Sequence, residues 1–295
     1  MSRPVQLMIA GAQKAGTSSL KNYLGQHPGI CTHEQIEMMY FVNDAEYEQG
    51  FARAFRRYFG DEQGEDRVIV AKSVGVLDHL KAMERLRDHN PGVHLVLSLR
   101  NPADRAYSAY WYARRMGWED LETFEEAIEA DPERFGHDRA RQHHCAYLYR
   151  SLYAQHLANL LHYFSREQIH VFLMEEIRQD AVAVCRRLYG LFEGLDPAFE
   201  PHTGQRHNRA ARPRSQSLAR LTSSRNVLPS LKRVIRRLLP QPFVESVRDA
   251  LQQMNERQFM PPPMRPETRA RLDRYFAPHN AELSELLGRD LSHWC

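Results

Sequence analysis

Residues 5–10, 67–71, 93–99 and 169–174 are short runs rich in Val, Ile and Leu with few polar breaks, which predicts buried strands. Segments 17–26, 78–89, 102–116, 124–130, 147–164, 181–192 and 269–287 read as helices. Breakers stand where the first helices should stop: His27-Pro28-Gly29 after one and Asn90-Pro91-Gly92 after the next. Pro102 suits the first turn of the third helix. Thr17 or Ser18 is expected near the N-cap of the first. Strands alternating with helices predict an α/β fold, a parallel sheet with helices on both faces. Ligands in such sheets bind at the carboxyl ends of the strands. Three segments fall there: the loop 11–17, the pair Lys72-Ser73 and Arg100.

The last third is patterned differently. Residues 201–216 are basic and loop-like, 231–239 form a short basic amphipathic helix, and Met260-Pro261-Pro262-Pro263 is a stiff connector. No internal repeat or long linker divides the chain, so a single domain is expected over residues 1–295.

Composition narrows the class. The chain has 295 residues, 42% hydrophobic and 10% aromatic, enough for a substantial core. A net charge of +3 argues against a general nucleic-acid binder. Cys31, Cys145, Cys185 and Cys295 are widely spaced without a CxxC pair, which fits a reducing compartment rather than a disulfide or zinc scaffold. The run after Met-Ser-Arg-Pro is too short for a signal peptide or membrane anchor, so a cytoplasmic protein without a transmembrane segment is expected. Lysine occurs only five times, at positions 14, 21, 72, 81 and 232, so each lysine in a special place carries information.

The most informative stretch is Gly11-Ala-Gln-Lys-Ala-Gly-Thr17, directly after the first apolar run. It has the form of a phosphate-binding loop between a strand and a helix, with backbone N–H groups at the helix start available to an anion. The ATP-binding form G-x-x-x-x-G-K-[ST] puts lysine directly after the second glycine. Here Thr17 takes that place and the lysine is Lys14, inside the loop, which suggests a different phosphate-bearing donor.

With these pieces placed, the chain resembles the sulfotransferases that use 3′-phosphoadenosine 5′-phosphosulfate (PAPS), and most of all their heparan sulfate branch and its bacterial relatives. Residues 11–20 with His27-Pro28 are similar to the family's 5′-phosphosulfate loop. Glu37-Met-Met-Tyr-Phe41 resembles its Lys-Glu-x-His-Phe-Phe stretch, and residues 99–108 resemble its 3′-phosphate element. Residues 150–157, the strand 169–174 and the tail 272–294 add to the likeness. Met39 stands where the family has histidine and Ile36 where it has lysine. The resemblance implies a three-layer, P-loop-like fold with a central parallel sheet flanked by helices. It also implies sulfuryl transfer from PAPS to a hydroxyl or amine of a small-molecule, lipid or glycan acceptor, leaving 3′-phosphoadenosine 5′-phosphate.

Site roles follow residue by residue from the same resemblance. Gln13, Lys14, Ala15, Gly16, Thr17, Ser18 and Ser19 would bind the 5′-phosphosulfate, Lys14 meeting charge that develops on the leaving oxygen. Glu37 would be the general base, with His33, Glu34 and His79 as rivals. Lys72 would hold the sulfuryl oxygens or orient Glu37, with Ser73 a weaker candidate. Arg100 and Ser108 suit the 3′-phosphate, while Arg105 reads as a surface residue and Tyr153 as core. Asn208 and Arg209, in the basic loop, are candidate donor ligands, and the 201–263 stretch is expected to cover the donor and acceptor cleft.

No metal site is expected. The strand ends carry Lys72 and Arg100 where a Walker-type enzyme places a Mg²⁺-binding Asp, and the fifteen histidines form no HExxH pattern. The alternative, a P-loop nucleotide or small-molecule kinase, would need that carboxylate and a lysine at position 17. A non-catalytic nucleotide-binding protein would have no use for Glu37 and Lys72.

Overall fold

The computed structural model describes residues 2–60, 66–131, 144–203, 211–213, 256–258 and 261–294. The chain forms two compact units. The first comprises Met1–Arg105, Leu152–His207 and Phe276–Cys295; the second, Ala106–Ser151 and Asn208–Tyr275.

The first unit is built on five parallel strands: β1 (Leu7–Gly11), β2 (Ile30–Thr32), β3 (Val68–Lys72), β4 (His94–Leu99) and β5 (Ile169–Leu173). Their order is β2-β3-β1-β4-β5, with β1 at the centre. Leu7 pairs with Val70 on one side and His94 on the other, and the β1–β4 register shifts between Ile9 and Gly11. Every residue of β1 and β3 is buried, because both faces of the sheet are covered.

The period of two sorts the strand residues between the faces. Leu7, Ile9, Val68, Val70, Val96 and Phe172 pack with α1 (Thr17–Leu24) and with the helix Ala181–Tyr189. Met8, Ala10, Ile69, Ala71, Leu95 and Leu97 face the opposite layer. That layer contains α3 (Phe51–Phe59), α4 (Leu80–His89) and α7 (Tyr153–Tyr163). The four-residue α2 (Asp44–Tyr47) precedes α3, and α8 (Met174–Gln179) leads into α9 (Ala181–Tyr189). The three-layer α/β architecture is the one expected.

In the second unit, α5 (Pro102–Arg115) supplies its C-terminal turns and α6 (Phe124–Glu129) is fixed by a Thr123–Glu126 capping box. The Asp131 carboxylate accepts from the amides of Tyr147 and Leu148, at 3.0 and 2.6 Å, and the Tyr147 hydroxyl donates to Glu119 at 2.8 Å. The last helix, α10 (Pro266–Leu287), begins in this unit and ends in the first.

Several expectations are corrected. The segment 147–164 is not one helix: a 3-10 turn at Tyr149–Ser151 stops at Leu152, whose ψ of 66° is not helical, and α7 starts after it. The N-cap of α1 is Gly16 itself, with Thr17 beside it as the first helical residue, near the cap as expected. Within the stretch read as loop, Ala211–Pro213 pairs as an antiparallel strand, β6, with β7 (Glu256–Gln258). Arg105 is not a surface residue. It is wholly buried, because it lies in the inward stripe of α5 with Ala106 and Ala109. Asn208, Arg209 and residues 231–239 lie outside the described residues.

Candidate active site

The carboxyl ends of β1, β3 and β4 carry the candidate chemistry, and each end is shaped by packing. β1 runs into the glycine loop. A Cβ on Gly11 would lie 2.5 Å from the Leu77 side chain, so the first glycine is required by close approach. Gly16 is required by conformation: its φ is 84°, and little stands near where a Cβ would be. Lys14, at φ 67°, is the one non-glycine residue with positive φ among the described residues. Holding a lysine in the left-handed region costs about 1–2 kcal/mol, a strain found most often at functional sites.

The loop is pinned from beneath. The Ala12 amide donates to Ser98 O at 2.7 Å, and the Ser98 hydroxyl donates to Ala15 O. The first turn of α1 has no side-chain cap, so its amides and the positive end of its dipole face the loop. Thr17 is buried, whereas Gln13, Lys14, Gly16, Ser18 and Ser19 are half-buried and Ala15 is buried.

The end of β3 holds Lys72, whose side chain is only 2% exposed. Its ammonium donates to Glu37 Oε1 at 2.6 Å, Ile36 O at 2.7 Å and Ser18 Oγ at 3.2 Å. Its backbone is engaged as well. The Lys72 amide donates to His33 Nε2 at 3.0 Å, and Lys72 O accepts from the Met38 amide at 2.8 Å. The second Glu37 oxygen, Oε2, accepts from the Val74 amide at 2.9 Å. Met38, Tyr40 and Phe41 are buried just beyond, which anchors the segment carrying Glu37 to the core. The structure therefore brings together Glu37, Lys72 and Ser18, three residues far apart in sequence. The Glu37 side chain keeps 24% of its surface exposed, so a substrate can reach it.

The rivals of Glu37 differ in how much they have left to offer. His33 is buried and both ring nitrogens are used: Nε2 accepts from Lys72, and Nδ1 donates to Gln35 O at 2.9 Å. Burial, then the nearby Lys21, pulls its pKa down to about 3. A ring without a spare lone pair cannot take a substrate proton. His79 caps α4, its Nδ1 accepting from the Ala82 amide at 3.1 Å. Glu34 is exposed. Ser73 is buried, and its amide donates to Ile9 O at 3.0 Å.

The neutral His33 sets an acid limit on the fold. Below pH 6.5 the unfolded chain takes up a proton that the folded ring refuses until about pH 3. Stability is therefore lost as pH falls through that window, with a slope approaching 1.4 kcal/mol per pH unit, about the value for one full proton. His89 and His170, both lowered to about 4 chiefly by burial, act in the same sense. Urea melts at pH 7, 6 and 5 should show the midpoint falling. His33→Asn should flatten the dependence.

Arg100 follows β4. Burial lowers the pKa of its guanidinium from the ordinary value, with Asp104 opposing, and its Nη1 lies 3.5 Å from Lys14 O. The Tyr153 hydroxyl, wholly in the core as expected, donates to Arg100 O at 3.1 Å. Arg100 thus borders the glycine loop on the β4 side while Lys72 borders it on the β3 side. Ser108 belongs to the second unit, on α5, and is half-buried.

Lys21 belongs to no motif of the sequence, yet the structure places it at the site. Its side chain is buried in α1, and its ammonium donates to His33 O and Gln35 O at 2.7 and 2.8 Å. The signal was the scarcity of lysine and its place on the helix after the glycine loop.

The chain is similar to known proteins over most of its length. A family model described as the sulfotransferase domain matches residues 4–201. The bifunctional heparan sulfate N-deacetylase/N-sulfotransferase 1 of Mus musculus is 29% identical over 214 residues, covering 68% of this chain and 24% of that protein. The corresponding enzyme 3 of Homo sapiens is 26% identical over 300 residues, covering 98% of this chain and 31% of that protein. The chain thus spans about a quarter to a third of these relatives. The crystal structure of a sulfotransferase from Alicyclobacillus acidocaldarius superposes with a TM-score of 0.68 at 28% identity, covering 100% of this chain and 99% of that one. No helix among the described residues is long and apolar enough to cross a membrane. With the matched family model covering all five strands of the parallel sheet and the glycine loop, this chain belongs to the sulfotransferase family.

Proposed function

We propose that the chain transfers a sulfuryl group from PAPS to a hydroxyl or amine, with Glu37 as general base. The observation that carries this reading is the Glu37–Lys72–Ser18 contact, which sets a partly exposed carboxylate beside the start of the anion-facing helix. The loop fits a phosphosulfate: two left-handed residues, an uncapped helix start and Lys14 converge on one place.

In the transfer, an acceptor oxygen or nitrogen bonds to sulfur as the bond from sulfur to the phosphate-bridging oxygen breaks. Lys14 and the amides of α1 meet the charge that gathers on that oxygen. Glu37 takes the acceptor proton. Lys72 and the Val74 amide each hold one carboxylate oxygen, which fixes the direction of the remaining lone pairs. Ile36, 69% exposed and next to Glu37, offers an apolar contact to the acceptor. The acceptor class is a small molecule, lipid or glycan. The relatives' name, N-sulfotransferase, makes an amine-bearing glycan one to try first.

Arg100 is assigned to the 3′-phosphate of the donor. Arg100→Ala should weaken binding of 3′-phosphoadenosine 5′-phosphate by about 1.5–3 kcal/mol, the worth of a charge-assisted contact. Adenosine 5′-phosphate should bind wild type and variant alike. Calorimetry with both nucleotides decides it. Equal affinity of the wild type for the two nucleotides would remove the assignment.

A further inference from the structure

Lys21 is a buried lysine on the donor-site helix that turns away from the glycine loop. Only 6% of it is exposed. Its two carbonyl partners, His33 O and Gln35 O, lie in the short segment that ends at Glu37. Gln35 O also accepts from His33 Nδ1, so Lys21, the His33 ring and two carbonyls form one knot. From the other side the same segment is tied to Lys72 by His33 Nε2, Ile36 O, Glu37 and the Met38 amide.

A buried ammonium is expensive. Burial, then the neighbouring Lys72, pulls the Lys21 pKa down to about 8. A methionine of similar length would fill the space without that cost. What methionine cannot do is grip two backbone carbonyls and so join α1 to the Glu37 segment.

We propose that Lys21 is a positioning residue of the transfer reaction: it couples the donor-site helix to the 33–37 segment, so that donor binding at the start of α1 orders Glu37. The proposal rests on the reading of the glycine loop as donor site and Glu37 as base. Lys21 itself touches neither reacting atom.

The test is amide hydrogen exchange on the full chain, with and without 3′-phosphoadenosine 5′-phosphate. In the wild type the nucleotide should slow exchange at residues 11–20 and also at 33–38, the latter by about fivefold or more, the lower end of ordinary site-to-site coupling. In Lys21→Met the slowing at 11–20 and the nucleotide affinity should persist while the slowing at 33–38 disappears. Lys21→Gln keeps two N–H donors on a shorter arm and should fall between. It serves as the deciding variant if Lys21→Met does not fold. Retained slowing at 33–38 in the folded variant overturns the coupling, as does its absence in wild type that binds the nucleotide. A different result marks failure of the underlying reading: no slowing at 11–20 in the wild type, or full turnover in Glu37→Gln.

Discussion

Glu37→Gln is expected to lower kcat by about 10²–10⁴-fold, the usual cost of losing a general base, with nucleotide affinity near that of wild type. The contacts explain why the change is not silent in the fold. Both Glu37 oxygens accept, one from Lys72 and one from Val74. Glutamine has one oxygen, so its amide group must face one of these donors. That mismatch should cost about 1–3 kcal/mol of stability, seen as a lower denaturation midpoint. Glu37→Asp separates the two effects. It keeps two acceptor oxygens but withdraws them by one carbon, so it should recover part of the stability and little of the rate. Measuring kcat with a surrogate acceptor and nucleotide affinity on the same preparations checks the assignment. Unchanged kcat would pass the role to Glu34 or His79, and lost nucleotide binding would make Glu37 structural.

Lys72→Met is expected to reduce both turnover and stability. The variant removes the donor to Glu37, to Ile36 O and to Ser18 Oγ at once. Breaking a fully buried ion pair costs about 3–5 kcal/mol. With 24% of the Glu37 side chain in contact with solvent, water compensates in part, and a loss of about 2–3 kcal/mol is the expectation. The rate should fall by about 10²-fold or more, since the carboxylate keeps only the Val74 amide to orient it. Lys72→Met combined with Glu37→Gln should then be little slower than Glu37→Gln alone, because two residues acting as one unit do not add. Additive losses in that cycle would show that Lys72 acts on the donor independently of Glu37.

What the sequence revealed and what it hid follow from where the information sits. The four long strands were legible because burial on both faces leaves near-continuous apolar runs. β2 was not, since three residues after a Pro-Gly turn carry no period. α3 was passed over, yet its buried Ala54, Phe55, Tyr58 and Phe59 follow helical spacing between Gly50 and Gly60. α8 was hidden in the end of β5, because its start is made by Glu176 reaching back to the Leu173 amide at 2.6 Å rather than by a polar cap residue. At the site, Lys14, Glu37, Lys72 and Arg100 were named singly from their motifs and strand ends. Orienting Glu37 was one of two roles open to Lys72; that its ammonium holds the carboxylate directly, and that His33 has no lone pair to spare, depend on contacts between segments far apart in the chain. A one-dimensional pattern carries no such information.

The close approach of Gly11 and Leu77 makes these two distant positions a single unit of substitution. Leu77 also ties the segment after β3 to β1, its amide donating to Ala10 O at 3.2 Å. A methyl group at position 11 would push on that segment, and with it on the Val74 amide that holds Glu37, so the glycine loop and Glu37 would be disturbed together. Relief would have to come from a smaller side chain at 77. A lineage can therefore change position 11 only after, or along with, position 77, and a glycine with the look of a motif is held in place by the packing of a leucine 66 residues away.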